Sequence, residues 1–223
     1  MPRTLLLQTS VSNVPEKNIL TNTVLELARS RKTVRKFKAK PPSMSDVLRA
    51  LEAGRQAPSG ANRQPWHFII VTEPEAKRRL RESCEKGERE LYKNVRGEFK
   101  EWLLSHGLSP DKPFLEEAPL LVAVLMEAAA QYARESVWVS VGYILLALEE
   151  MGLSTITYTP SNTDLPLGEL NAPEGFKLET ILPIGYSADD KPKEPKHSLE
   201  EVAFLNSWGN PVKPNRKKGN RET

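Results

Sequence analysis

Residues 1–20 carry no hydrophobic period and read as an arm, after which residues 22–29 form a short helix that Thr21 or Asn22 can cap. Pro41-Pro42 breaks the chain. Ser43 or Ser45 then caps a second helix that turns Val47, Leu48 and Leu51 inward and ends near Gly54. The turn formers of residues 57–65 read as an ordered loop leading into a strand, 66–72. Beyond Pro74 a long charged helix carries Leu80, Cys84, Leu91, Val95, Phe99 and Trp102 at steps of three, four or seven, so that one stripe faces a core. A loop over 106–113 leads to a strand, 119–126, whose apolar run lacks alternation and therefore needs cover on both faces. Residues 132–151 form a helix that is apolar nearly all round and closed by Gly152, to be buried in a core or a subunit interface. A strand over 154–159 stops at Pro160, a short helix lies near 165–170, and 178–186 is a further strand. Residues 198–208 are apolar enough to dock as an extended arm or short helix. The pattern predicts an α+β domain of four or five strands with helices on both faces of the sheet.

Composition fits that picture. The chain has 223 residues, 39% hydrophobic and 27% charged, which excludes disorder throughout and allows one large domain or two small ones. The single cysteine, Cys84, cannot form an internal disulfide and sits on the apolar stripe, so it reads as a core thiol in a reducing compartment. No Cys/His spacing suits a structural zinc. The apolar runs 118–126 and 137–148 fall short of the roughly 18 residues that span a bilayer. The start lacks the apolar stretch and cleavage site of a signal peptide, and the whole reads as a soluble cytoplasmic protein.

The formal charge of +3 is unevenly placed. Residues 211–223 net +4, and residues 28–40 contain seven basic side chains and no acid, so the remainder nets −8. The C-terminal block, within a stretch over 209–223 with nothing to pack, reads as a solvated tail. The 28–40 segment differs because Val34 and Phe37, embedded in it, can anchor it to a core. A nucleic-acid or membrane partner is not expected.

There is no G-x-S-x-G elbow, Walker A sequence, G-x-G-x-x-G or H-E-x-x-H, so an enzyme of this sequence would rely on a cofactor for its hard step. Ser30-Arg31-Lys32-Thr33-Val34-Arg35-Lys36-Phe37 offers cations, a hydroxyl and backbone amides just after a helix, which suits a phosphate monoester, although a solvated face is the plainer alternative. Further along, Pro58-Ser59-Gly60-Ala61-Asn62-Arg63-Gln64-Pro65-Trp66 offers amides that could read the edge of a flat heterocycle.

Taken in this order and followed by a strand, the two segments resemble the nitroreductase superfamily over about 29–205. The resemblance implies an FMN-binding α+β fold with a mostly antiparallel central sheet flanked by helices, intertwined as a homodimer, with 135–152 as the dimerisation helix. It implies an FMN-binding domain over 21–208 with a lid at about 75–115. Arg31, Lys32, Thr33 and Arg35 would hold the phosphate, the ribityl chain or the flavin's polar edge, with Ser59 and Gly60 approaching from the second segment. Gly152-Leu153-Ser154-Thr155-Ile156-Thr157-Tyr158-Thr159-Pro160 and Leu182-Pro183-Ile184-Gly185-Tyr186 resemble the iodotyrosine deiodinase branch. There Thr157, Tyr158 and Thr159 would line the flavin, Thr159 donating toward N5 and favouring two one-electron steps over hydride transfer. Lys196 would reach the phosphate.

That branch holds a halotyrosine zwitterion with a Glu, a Tyr four residues later and a Lys six residues before an Ala-Pro. Glu88, Tyr92 and Lys112 stand at those spacings here, and an interval of four puts Glu88 and Tyr92 on one helical face. The resemblance implies that Glu88 accepts the substrate ammonium, Lys112 pairs its carboxylate, Tyr92 covers it, and the Ala61 N–H holds the phenolate. The expected function is FMN-dependent removal of iodide or another halide from mono- or diiodotyrosine, the flavin being reduced by NAD(P)H or a partner reductase. Asn62 and Gln64 depart from the branch, which favours His and Glu there, and Lys196 replaces an Arg. A general nitroreductase or quinone oxidoreductase would use the same FMN site and leave the Glu/Tyr/Lys set idle, and a non-enzymatic binding module would bind no flavin.

Overall fold

The computed structural model describes residues 24–213. The expected arm, the caps Thr21 and Asn22, and residues 214–223 of the expected tail lie outside them. Helices α1 (Val24–Ser30) and α2 (Met44–Arg55) precede strand β1 (Trp66–Val71), and helices α3 (Pro74–Asn94), α4 (Gly97–Ser105) and α5 (Phe114–Glu117) lead to β2 (Leu120–Glu127). Helix α6 (Ala133–Glu150) runs to β3 (Ser154–Thr155), α7 (Asp164–Glu169) to β4 (Phe176–Gly185), and α8 (Leu199–Val202) follows. The strands form one sheet in the order β1-β2-β4-β3, every neighbouring pair antiparallel.

The unbroken apolar run of β2 is explained by two cores. Leu120, Val122, Val124 and Met126 pack with α2 and α6, whereas Leu121, Ala123 and Leu125 pack with Leu80, Cys84, Phe114 and Leu115 on the other face. Side chains that alternate between two dry layers must all be apolar. The ladder slips between Val124 and Leu125, which pair with Thr180 and Leu178, so Glu179 is an extra residue in β4. Such a bulge re-aims a side chain. Here it sends the buried Glu179 carboxylate to the Arg134 guanidinium (3.0 Å) and the Trp138 indole N–H (3.1 Å).

Helices α2 and α6 meet closely at Gly54. A Cβ there would lie 2.5 Å from Ile144 Cγ1 and 3.0 Å from Ser140 Oγ. Gly54→Ala is expected to destabilise the fold by about 1–3 kcal/mol, the cost of overpacking a filled core. Urea unfolding reads this as a lowered midpoint, and an unchanged midpoint would contradict so close an approach.

Several expectations need correction. The long charged helix is two helices: Val95 and Arg96 are extended, and Gly97 turns the chain at φ +63°. Phe99 and Trp102 therefore leave the stripe and are half exposed, as is Leu48 of α2. Helix α5 fills the interval between the expected 106–113 loop and the expected 119–126 strand, to which the pattern assigns no element. The strand expected over 154–159 pairs as a ladder only at Ser154–Thr155, with a further bridge from Tyr158 to Ile181. Helix α6 is split, with Val137, Val141, Ile144 and Leu148 buried and Trp138, Val139 and Tyr143 on an exposed face. At the start of the expected tail, the Leu205 N–H donates to the Asn210 carbonyl (2.7 Å) and the Val212 N–H to the Ala203 carbonyl (2.9 Å). Among the described residues no helix is long and apolar enough to cross a membrane.

Candidate functional site

The basic segment is fixed between two strands' ends. Val34 is fully buried, its N–H donates to the Thr155 carbonyl (3.1 Å), and the Lys38 N–H donates to the Tyr186 carbonyl (2.9 Å). Anchoring through Val34 leaves Arg31, Lys32, Thr33 and Arg35 to line a cavity of about 270 Å³ together with Lys191, Lys193 and Lys196. Not every cation there is free. Lys32 Nζ donates to the carbonyls of Asp189 (2.7 Å) and Lys191 (2.5 Å), and Lys193 Nζ donates to the carbonyls of Ala28 and Arg29 at the end of α1. Asp189 places one acid among the cations and accepts from the Arg35 N–H (3.1 Å). Arg31 is different: its Nε is buried with no hydrogen-bond partner among the described residues. Burial lowers its pKa against the opposing pull of Glu149. Buried donors are almost always satisfied, so this orphan fits an anionic acceptor such as a phosphate monoester.

Through Arg35, Asp189 and Lys191 this cavity adjoins a larger one of about 600 Å³. Its walls include Glu88, Tyr92, Lys112, Thr157, Tyr158 and Thr159, so the structure brings together every residue expected of the lid and of the 157–159 segment. Lys112 Nζ lies 3.7 Å from Glu88 Oε2, with side chains only 12% and 8% exposed. It also stands 6.0 Å from the centroids of both the Tyr92 and Tyr158 rings, within cation–π range. Burial pushes the Lys112 ammonium's pKa down while Glu88 and Glu85 pull it back up. Thr159 Oγ1 donates to the Glu179 carbonyl at 3.3 Å, a long bond that a better acceptor can displace.

Further contacts hold this geometry, and sequence reasoning, which set Tyr158 beside the flavin, missed them. The Tyr158 hydroxyl donates to Glu88 Oε1 (2.8 Å), as does the Ser161 N–H (3.2 Å). Gly87 permits that approach, because a Cβ on it would lie 2.7 Å from Asn162 Cβ. A glycine inside a charged helical pattern was the available signal. Glu85 accepts from the Lys112 N–H (2.7 Å) and from Arg81 Nε (2.7 Å), tying the 106–113 loop to α3. Burial raises its pKa, but Arg81 and the Lys112 N–H outweigh that and the net shift is down. The Glu85 spacing to Arg81 and Arg89 was visible as i, i+4 charge pairs, whereas its bond to Lys112 was not. The Lys77 ammonium is buried against the carbonyls of Glu116 (3.0 Å) and Ala118 (2.6 Å), joining α3 to the end of α5. Cys84 is fully buried, and burial followed by Glu88 pushes its thiol up to about 12, consistent with a core thiol.

Ser59, Gly60 and Ala61 line neither cavity. Their loop sits at the other end of α6, where the Gly60 N–H donates to Ser136 Oγ (3.2 Å). Ala61, Asn62 and Gln64 hold φ of 47°, 55° and 49°, a left-handed conformation closed by bonds from the Asn62 N–H to the Ser59 carbonyl and from the Gln64 N–H to Ser59 Oγ, both 3.0 Å. Arg31 instead faces Glu149, and Thr33 bridges Thr155 beyond the helix's C-terminal end. From Ser136 to Glu149 is about 20 Å along the axis at 1.5 Å per residue.

Residues 28–186 match the nitroreductase family. An iodotyrosine deiodinase of Thermotoga neapolitana is 47% identical over 174 residues, covering 78% of this chain and 94% of that one. One from Haliscomenobacter hydrossis is 34% identical, covering 71% and 77%. A crystal structure of an iodotyrosine deiodinase bound to FMN and 3-iodo-L-tyrosine is 45% identical and superposes with a TM-score of 0.79, over 83% of this chain and all of the other. A nitroreductase with bound FMN from Bacteroides fragilis shares the fold at a TM-score of 0.67 and 24% identity. The sheet order, the basic cradle and these matches agree: the chain belongs to the nitroreductase family, on its iodotyrosine deiodinase branch.

Proposed function

We propose that the protein is an FMN-dependent reductive dehalogenase of mono- and diiodotyrosine. The observation that carries this reading is the buried Glu88–Lys112 pair at 3.7 Å over a cavity adjoining an anion cradle. At 3.7 Å the pair is loose, and each charge leans on neutral partners, Glu88 Oε1 on the Tyr158 hydroxyl and Ser161 N–H and Lys112 Nζ on the Ser109 carbonyl. A zwitterionic amino acid offers both groups better partners, its ammonium to Glu88 and its carboxylate to Lys112. Tyr92 would cover it. Contact with the zwitterion would also draw α3 and the 106–113 loop together and exclude water from the ring.

The cradle fits FMN: the phosphate would meet Arg31, Thr33 and Lys196, with Lys32 shaping the rim and Arg35 facing the larger cavity. When bound, FMN supplies the two electrons that, with one proton, convert an aryl iodide into an aryl hydrogen and iodide. Thr157, Thr159 and the backbone of Tyr158 would line its edge, Thr159 turning its hydroxyl from the Glu179 carbonyl toward N5. NAD(P)H or a partner reductase would restore the reduced state. Arg31→Ala is expected to raise the dissociation constant for FMN about tenfold or more, the loss of a charge-assisted contact, in a fluorescence titration of the apoprotein. An unchanged constant would remove Arg31 from the phosphate.

We infer a homodimer in which each active site is shared. The exposed apolar face of α6 calls for cover, and isologous pairing along it would set the N-terminal end of one α6 beside the C-terminal end of the other. Ser59, Gly60 and Ala61 of one protomer would then reach the cradle of its partner, the Ala61 N–H to hold the phenolate. We read the unit as one FMN-binding domain over 21–208 with its lid at 75–115, working in the cytoplasm.

The test is substrate choice. Reduced protein should release iodide from 3-iodo-L-tyrosine with a kcat/KM well above that for a nitroaromatic or a quinone. Nitroaromatic turnover without iodide release would overturn the reading in favour of a general nitroreductase.

A further inference from the structure

The Tyr158 side chain reaches from the 157–159 stretch into the lid, to Glu88 of α3. Its backbone is clamped to the central sheet: the Tyr158 N–H donates to the Ile181 carbonyl (3.0 Å), the Ile181 N–H returns a bond to the Tyr158 carbonyl (2.8 Å), and Thr180 Oγ1 donates to the same carbonyl (3.0 Å). Its ring is buried, packed edge-on against Phe114 with centroids 5.5 Å apart. The hydroxyl therefore stands at a fixed place relative to the sheet. It spends its proton on Glu88 Oε1 at 2.8 Å.

The two oxygens of Glu88 are used differently. Oε1 takes both the Tyr158 hydroxyl and the Ser161 N–H, while Oε2 faces Lys112 at 3.7 Å and the cavity. A carboxylate accepts through both oxygens, so saturating one leaves the other as the acceptor for an incoming cation. Burial, followed by the nearby Cys84 and Glu88, moves the Tyr158 phenol far above its ordinary pKa, which keeps it a donor across the working pH range.

We propose that Tyr158 is a positioning residue for ammonium recognition: anchored to the sheet, it holds Glu88 Oε1 so that Oε2 is presented to the substrate's α-ammonium before the substrate arrives. The proposal rests on the reading of Glu88 as ammonium acceptor. It makes Tyr158 a determinant of selectivity for α-amino acids over plain halophenols, acting through Glu88. Preorganisation of this kind improves affinity by removing an ordering cost from the binding step.

The experiment is calorimetric titration of the FMN-loaded protein with 3-iodo-L-tyrosine and with its des-amino analogue, 3-(4-hydroxy-3-iodophenyl)propanoate. The wild type is expected to prefer the amino acid. In Tyr158→Phe, which keeps the ring and its packing, affinity for 3-iodo-L-tyrosine should fall about tenfold while that for the des-amino ligand stays within about twofold, the loss of one hydrogen bond to a charged group. Tyr158→Met, apolar and similar in reach, carries the same expectation should the Phe variant fold poorly. Parallel losses for both ligands, or no loss for either, would overturn the proposal, since a merely structural role does not distinguish the two. Glu88→Gln separates the two levels. If it abolishes the preference and Tyr158→Phe leaves the preference unchanged, the reading of Glu88 stands and the role of Tyr158 falls. If it leaves the preference intact, or if the wild type shows none, the reading of Glu88 fails and takes the proposal with it.

Discussion

Glu88→Gln is expected to raise the KM for 3-iodo-L-tyrosine by about two orders of magnitude, the cost of removing one member of a buried charge pair. The substitution keeps size and both polar atoms, so the effect isolates charge. It acts twice. The substrate ammonium loses its acceptor, and Lys112, whose pKa burial already depresses, loses the largest influence holding it up. With that support gone, Lys112 holds its proton, and through it the substrate carboxylate, less firmly. Lys112→Ala should therefore cost a similar amount, and the double variant should cost much less than the sum, because the two residues act as a unit. FMN affinity should be unchanged in all three, since neither residue lines the phosphate cradle. Steady-state iodide release with a parallel flavin titration checks each part, and an unaltered KM would remove Glu88 from the substrate.

A second large effect is expected at the exposed face of α6. Val139 is 41% exposed there, close to Trp138 and Tyr143. Val139→Asp would set a carboxylate into the apolar contact that we infer between two copies, where an unpaired buried charge costs several kcal/mol, roughly enough to dissociate a dimer at micromolar concentration. The expected result by light scattering is a monomer, against a dimer for the wild type. The ratio of flavin to protein absorbance should fall with it, because in the dimer we infer the 59–61 loop of one copy would complete the site of the other. A monomer that retains its full complement of FMN would contradict the shared site.

The reading of the chain was most accurate where local pattern and tertiary demand coincide. The apolar run of β2 predicts burial on both faces, since no half-exposed strand tolerates it, and two cores bury it there. Helix α2 began at its Ser43 cap, with Ser43 Oγ accepting from the Ser45 N–H. Pattern misled where its period outran the element: Phe99 and Trp102 continue the stripe of α3 in sequence, yet the turn at Gly97 carries them out to solvent. Thr-rich residues 154–159 favour a strand locally, but only their ends pair with β4.

For the site, Glu88 and Tyr92 were singled out by resemblance, the interval of four serving only to put them on one face of α3. Lys112 was legible only by resemblance, since a loop lysine has no local signature. The supports of the site stayed hidden because each bridges a long sequence separation: Glu85 to the Lys112 N–H, Tyr158 and Ser161 to Glu88, Lys77 to the end of α5. Arg31 carried no mark that set it apart from its basic neighbours until the fold left its Nε without a partner while Lys32 and Lys193 spent theirs on carbonyls.

The central claim is that this chain delivers two electrons from bound FMN to the carbon–iodine bond of a zwitterionic halotyrosine. Its most direct test is a single turnover without oxygen, in which flavin-loaded protein is reduced stoichiometrically, freed of reductant and mixed with 3-iodo-L-tyrosine. Two-electron chemistry predicts one iodide and one tyrosine formed for each flavin, with the flavin absorbance returning to its oxidised form. A flavin that stays reduced beside intact 3-iodo-L-tyrosine would contradict the account.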